Sequence, residues 1–261
     1  MHNVFRGLEI YANYYLRRRT PTIVYAMGRS GSIALLRSLY AHGEFVLATH
    51  WLDPIKIREG GYHGSAIWAC KHIVLKQKKA RIISMIRNPV ECMVSVFGLS
   101  RFREKCNGRF ESRDGLDRMT PDELNDWFKT DYFEKQGHLH QLQWFDAEFK
   151  AALGIDVYNY PFDKEMGYVQ FQEGTYDVLI LRTEMDDARK SHLISDFLGT
   201  KDLKMVRENV GERSHYGDIY KMFRQQATVP EEYLDTIINS RYAQHFFTQE
   251  TLDAMKQRFK A

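Results

Sequence analysis

The stretch Gly28-Arg29-Ser30-Gly31-Ser32 puts two glycines, two hydroxyls and a fixed positive charge in five positions. That mixture suits an anion. Glycine lets the backbone turn tightly and come close to a ligand. If a helix follows, its first N–H groups point at the loop and its dipole adds partial positive charge. Arg29 adds a full charge, and Ser30 and Ser32 add hydroxyls. A second group of this kind stands in RIISMIRNPVECMVSVF, where Arg87 is followed eight residues later by Ser95. On a helix that spacing is about two turns. An arginine and a serine so placed can hold a second phosphate from two sides. The pair of groups suggests a ligand with two separated phosphates.

A Walker loop has the form G-x-x-x-x-G-K-[ST]. Here no lysine precedes Ser32 and the glycines are closer together, which argues against a magnesium–ATP site of that type. A proton acceptor is also present. His50, in ATHWLDP, has the residue type whose ordinary pKa lies near working pH. His72, in CKHIVLKQKK, is a second candidate, and Glu184, in LRTEM, is an alternative base or a supporting group. Trp144, Phe145, Trp127 and Tyr132 could line a sugar cleft, although aromatic residues at helical spacing more often form core. His138 and His140 have the type of metal ligands. No third ligand has suitable spacing, so a surface helix and no metal site are expected.

These residues need a scaffold. TIVYAM, EFVLATHW, ARIISMI and YDVLILRTEM read as strands, rich in β-branched and aromatic residues. SIALLRSLYAHG reads as a helix closed by Gly43, SAIWACKHIVLKQKKA as a second helix, and NPVECMVSVFGLSRF as a third with Pro89 in its first turn. The alternation predicts an α/β fold: three layers, with a mainly parallel central sheet between helices and right-handed crossovers. Ligands of such sheets bind beyond the carboxyl ends of strands. That rule selects Gly28–Ser32, Thr49–Asp53 and Arg87–Pro89. Helical additions follow in the middle. TPDELNDWFKTDYF opens on a capping box of Thr120 and Glu123, and HLHQLQWFDAEFKAALG runs to Gly154. The last third reads as helices with aromatic cores. The whole is expected to be one domain over 1–261, with an N-terminal helix over 1–20 and C-terminal helices over 215–261.

The net charge of +3 is too small to imply nucleic acid. The run Lys76–Arg81 reads as a solvated helix end. The three cysteines, Cys70, Cys92 and Cys106, are odd in number and form no C-x-x-C pair, which fits free thiols in a reducing compartment. No secretory signal and no apolar run of about 20 residues is found, so a cytoplasmic protein is expected. Peripheral membrane association stays open. Arg17–Arg19 could touch acidic lipid, against the simpler reading of a solvated helix end.

The two anion motifs resemble those of sulfotransferases that use 3′-phosphoadenosine 5′-phosphosulfate (PAPS). GRSGS is similar to the family's P-K/R-S-G-T/S loop, which holds the 5′-phosphosulfate, and RNPVECMVSVF to its R-[ND]-P…S-x-F segment, which holds the 3′-phosphate. LILRTE…ISDFLG is similar to a later strand and helix, and the resemblance covers most of Thr22–Gly199. It implies a P-loop-like fold, PAPS as donor, 3′-phosphoadenosine 5′-phosphate (PAP) as product, and no metal. It implies donor contacts at Gly28, Arg29, Ser30, Gly31, Ser32, Ile33, Arg87 and Ser95, with Arg29 also stabilising the leaving phosphate. THWL resembles the family's T-H-L-P stretch and implies His50 as the base. Three departures stand out. Thr183 replaces a tyrosine that packs near adenine, Ile33 replaces a threonine, and MVRENVGERSHYG, with Arg207, Asn209 and Arg213, stands in for a glycine-rich phosphate segment. WFDAEFKAALGIDVYNYPFDKEMGY and NVGERSHYGDIYKMF resemble a bacterial branch named for capsular polysaccharide synthesis, which implies a carbohydrate acceptor. A P-loop small-molecule kinase and a non-catalytic PAP-binding protein of capsule assembly are the alternatives. The oligomeric state is not legible.

Overall fold

The structure is a computed structural model that describes residues 2–59, 64–105, 115–206 and 216–261. Five strands are β1 (Thr22–Tyr25), β2 (Val46–Thr49), β3 (Ala80–Ile86), β4 (Tyr168–Glu173) and β5 (Tyr176–Arg182). The helices in chain order are α1 (His2–Tyr11), α2 (Ser32–Ala41), α3 (Pro54–Glu59), α4 (Gly64–Ala69), α5 (Pro89–Lys105), α6 (Pro121–Phe128), α7 (Gly137–Trp144), α8 (Ala151–Leu153), α9 (Asp187–Leu198), α10 (Gly217–Gln226), α11 (Glu231–Ile238), α12 (Arg241–Phe246) and α13 (Gln249–Phe259). Short π-helical turns prolong several of them, among them Ala12–Leu16 after α1 and Cys70–Val74 after α4. Two compact units share the chain. One is Met1–Ile86 with Trp144–Arg207, the other Arg87–Gln143 with Glu208–Ala261.

The first unit holds the sheet, in the order β2-β1-β3-β5-β4. β1 pairs in parallel with both β2 and β3, β3 pairs in parallel with β5, and β4 is antiparallel to β5. The predicted α/β class and mainly parallel sheet are therefore present. β1 is buried throughout, as expected of a strand covered on both faces. One face of the sheet presents Val24, Val46, Ile83, Met85, Leu179 and Leu181 to Leu35 and Leu39 of α2 and to Ile194 and Leu198 of α9. On the other face the Tyr25 ring stacks 5.3 Å from Phe149 and meets Trp144 at 5.0 Å. Because the chain goes from β1 out to β2 and back past β1 to β3, the order reverses at β1, and the carboxyl ends of β1 and β3 flank that switch.

Two expectations need correction. β4 is absent from the sequence reading. It forms a hairpin with β5 through Gly174, whose φ of 56° glycine adopts readily. The helix read over SAIWACKHIVLKQKKA stops at Val74. Gln77 then takes a left-handed φ of 47°, and Lys76–Lys79 form an exposed turn into β3 rather than a helix end.

The second unit is helical around an aromatic core. The Phe97 ring lies 4.9 Å from those of Trp127 and Phe128 and 5.4 Å from Phe223. A Cβ at Gly98 would stand 2.6 Å from the Tyr220 ring, so glycine is what lets α10 approach α5. The capping box opens α6 as read. Thr120 Oγ1 accepts from the Glu123 N–H, and Glu123 accepts from the Thr120 N–H at 2.7 Å. Among the described residues no helix is long and apolar enough to cross a membrane.

Candidate active site

The loop that leaves β1 is an anion cradle by construction. Arg29 has φ 67° and Gly31 has φ 87°, so two left-handed residues fold the chain back before α2 begins at Ser32. Gly31 is required on two counts. Its φ favours glycine, and a Cβ there would stand 3.2 Å from Thr183 Cγ2. α2 has no side-chain cap at its N-terminus, which leaves its first N–H groups directed at the loop. The hydroxyl of Ser30 departs from the sequence reading. Ser30 is fully buried and donates to the Met27 carbonyl at 2.8 Å, so its proton braces the loop instead of serving a ligand. Ser32 is buried at the head of α2, and Ile33 beside it is exposed.

Thr183 is the bolt behind the cradle. Its N–H donates to the Ile86 carbonyl at 2.8 Å. Its Oγ1 lies 2.6 Å from the Ser30 carbonyl oxygen and 2.7 Å from that of Ile86, and its single proton serves one of them at a time. The end of β5 thus ties the loop after β1 to the end of β3. Lys190 of α9 stands behind Thr183. It is 7 % exposed, and its Nζ donates to the Thr183 carbonyl at 3.1 Å while pairing with Asp187 at 3.0 Å. Lys190 escaped the sequence reading. The signal was there, since Lys190, Ile194 and Leu198 share one helical stripe, and a lysine among buried apolar positions needs partners.

His50 leaves the carboxyl end of β2. Thr49 makes the turn that aims it: its Oγ1 donates to the Trp51 carbonyl at 2.7 Å and accepts from the Trp51 N–H at 3.1 Å. His50 Nδ1 lies 2.5 Å from the Ala26 carbonyl oxygen, two residues before Gly28. A carbonyl only accepts, so Nδ1 carries a proton, and in the neutral ring Nε2 carries the lone pair. A cavity of about 150 Å³ opens here, lined by Ser32, Ile33, Thr49, His50 and Trp51 over an apolar floor that includes Val24 and Ala48.

In the second unit Arg87 is held from two directions. The Tyr242 hydroxyl accepts from its N–H at 3.1 Å and donates to its carbonyl at 2.8 Å. Its guanidinium pairs with Glu91 at 3.2 Å, and the same carboxylate oxygen accepts from Arg224 Nε at 3.1 Å. Glu91 therefore keeps two arginines together. Arg224 comes from α10, far away in sequence, and nothing in its local pattern marked it. Ser95 is buried two turns along α5.

Other candidates fall elsewhere. Trp144 is 1 % exposed and packed on Tyr25 and Phe149, which makes it core and removes it from any sugar platform. Phe145 and Tyr132 are buried as well. His72 sits in the π-helical turn Cys70–Val74 that follows α4, before the chain enters β3 at the amino end of the sheet. Its Nδ1 is 2.9 Å from Tyr15 Oη and its ring stacks on Trp68, and burial with Lys76 and Lys71 nearby pushes its pKa below the ordinary value. That location takes it away from the cradle. Glu184 is exposed just after β5. Arg207, Asn209 and Arg213 lie outside the described residues.

A family model described as "Putative capsular polysaccharide synthesis protein" matches residues 123–248, just under half of the chain. The matched stretch includes Thr183, Glu184, Lys190 and Arg224, and leaves out Gly28–Ser32, His50, Arg87 and Ser95. No curated protein and no solved structure matches the chain.

Proposed function

We propose that the chain is a sulfotransferase that moves a sulfuryl group from PAPS to a hydroxyl of a carbohydrate, in capsule biosynthesis. The observation that carries this reading is the 2.5 Å contact between His50 Nδ1 and the Ala26 carbonyl, which anchors a histidine to the very segment that turns into the cradle. The acceptor class rests on the family match, whose description concerns polysaccharide synthesis.

The residues fit the donor's anionic groups. Arg29 and the uncapped N–H groups of α2 suit a 5′-phosphosulfate. Arg87, with Arg224 and Ser95, suits a 3′-phosphate. The donor supplies an activated sulfuryl group, whose bond to phosphate breaks as the acceptor oxygen attacks. His50 takes the acceptor's proton at Nε2, because Nδ1 is already protonated against Ala26. Arg29 and the loop offset the charge that grows on the departing phosphate. Thr183 and Lys190 hold the loop in shape, so little reorganisation is needed when that charge appears.

Calorimetric titration with PAP in the absence of magnesium tests the donor. Binding is expected, and Arg87→Ala should abolish it. Magnesium-dependent ATP binding with no affinity for PAP would replace this reading with a P-loop kinase. His50→Ala should keep PAP affinity and lower kcat by about 10²–10⁴. Undiminished turnover in His50→Ala would remove His50 as the base. PAP binding with no transfer to any hydroxyl acceptor would leave a donor-binding role in capsule assembly.

A further inference from the structure

We propose that the amino-end edge of the sheet in the first unit, with α1 and the Gly64–Val74 segment beside it, is a docking face for an anionic lipid surface. α1 and its π-helical turn are reversed relative to an ordinary surface helix. Ile10 and the polar Asn13 are buried, while Leu8, Tyr11, Tyr15 and Leu16 face outward, with Leu8 62 % and Leu16 70 % exposed. Leu8, Tyr11 and Tyr15 repeat at i, i+3 and i+7, so they form one stripe. The Gly64–Val74 segment lies against this helix through the Tyr15–His72 contact of 2.9 Å and the Tyr14 and Trp68 rings at 5.0 Å. It adds Ile67 to the exposed apolar residues, and Leu75, directly after the segment, is 62 % exposed.

Cations surround that apolar surface. Arg17 and Arg18 follow Leu16 directly, and Lys76, Lys78 and Lys79 follow Leu75; all five are exposed. A concave pocket of about 260 Å³ is lined by Tyr14, Arg18, Arg19, Lys78 and Lys79. The neighbouring carboxylates are engaged: Glu44 pairs with Arg19 at 3.7 Å, Asp177 with Lys79 at 3.6 Å, and Glu9 accepts from the Tyr40 hydroxyl at 2.6 Å. The two turns that present these cations contain left-handed residues, Arg18 at φ 50° and Gln77 at φ 47°.

Charge decides between the possible occupants. A second copy docking through the same face would set cations against the same cations. A nucleic acid would explain the cations and leave the leucines in water. An anionic bilayer accepts both, with apolar side chains at the acyl boundary and cations among headgroups. Pro21 and Lys79 precede β1 and β3, so this face is at the opposite end of the sheet from the cradle and His50. Docking there leaves the cradle clear of lipid.

Co-sedimentation of the full chain with vesicles tests this without any donor. Vesicles of phosphatidylcholine mixed with phosphatidylglycerol should capture the protein, and phosphatidylcholine alone should not. Leu16→Glu, and separately Arg18→Glu with Lys78→Glu, should each lower capture about tenfold with an unchanged thermal melt, because the side chains are exposed. The proposal fails if anionic vesicles capture nothing, or if neutral vesicles capture as much. It also fails if Leu16→Glu binds undiminished while inorganic phosphate competes, which would mark a site for free anions. Loss of a self-associated form in Leu16→Glu, with vesicle binding intact, would assign the face to a second copy and overturn it equally.

Discussion

Thr183 shows how one hydroxyl can shape a site it does not enter. The resemblance to sulfotransferases put a tyrosine at this position, packed near adenine. Here the shorter side chain turns inward and reaches the Ser30 and Ile86 carbonyl oxygens, at 2.6 and 2.7 Å. Thr183→Val keeps the shape and removes the proton. It should destabilise the fold by about 1–2 kcal/mol, because the buried Ser30 carbonyl loses its hydroxyl donor while Ile86 keeps the Thr183 N–H. PAP affinity should fall as well, since the loop is no longer tied to β3. Thr183→Ser should recover both in chemical denaturation and calorimetry. Equal affinity in the valine and wild-type proteins would show that the loop holds its shape without the tie. Gly31→Ala attacks the same contact from the other side. The added Cβ meets Thr183 Cγ2 at 3.2 Å on a backbone of φ 87°, and a loss of about 1–2 kcal/mol is expected from a left-handed alanine.

At the scale of elements, α7 is the clearest pH-sensitive contact. His138, its second residue, is 5 % exposed and so lies on a packed face instead of the expected surface helix, with ring centroids 5.5 Å from Phe133 and 5.3 Å from Tyr233 of α11. Burial holds its pKa below the ordinary 6.5, so the folded state favours the neutral ring. The unfolded chain therefore binds more protons between the depressed value and 6.5, and stability rises with pH across that window. Stability is fully present above 6.5 and declines as pH falls below it. His138→Phe should flatten that decline, read as a smaller difference in unfolding free energy between about pH 7.5 and 5.5. An unchanged slope would place the proton uptake on other groups. The elements also mark what a sequence can disclose. Strands β1, β2, β3 and β5 are short, mostly apolar runs, and the rule for parallel sheets then points beyond their carboxyl ends, to Gly28, His50 and Arg87. The edge strand β4 was missed because its residues are half polar and mostly not buried, so no apolar run announces it. Lys190 could have been found from its place on an apolar stripe. Arg224 could not, because its meeting with Arg87 across Glu91 is made by the packing of α10 on α5 and leaves no trace in local spacing.

On the scale of the whole chain, the path crosses between the two units after Ile86, after Gln143 and after Arg207. Neither unit is a continuous segment, so no cut between them releases an intact piece. The family match over 123–248 makes the point concrete. A fragment with those boundaries retains β4 and β5 but loses β1, β2 and β3. β5 pairs with β3 along its whole length, from Ala80 against Tyr176 to Ile86 against Arg182. Without β3, the row of N–H and C=O groups on that edge is unpaired, beside the buried side chains of Val178, Leu179, Ile180 and Leu181. The fragment also lacks α5, which removes Phe97 and Phe102 from the centre of the aromatic cluster. Each of those losses resembles a large-to-small core change of about 3–5 kcal/mol, and together they approach the total stability of an ordinary domain. The 123–248 fragment should therefore aggregate or lack near-UV circular dichroism, whereas the full chain should unfold cooperatively. A sharp, reversible melt of the isolated fragment would mean that the helical unit and the β4–β5 hairpin fold without the sheet that carries the cradle, and the site would then be an addition to an independent core instead of part of its foundation.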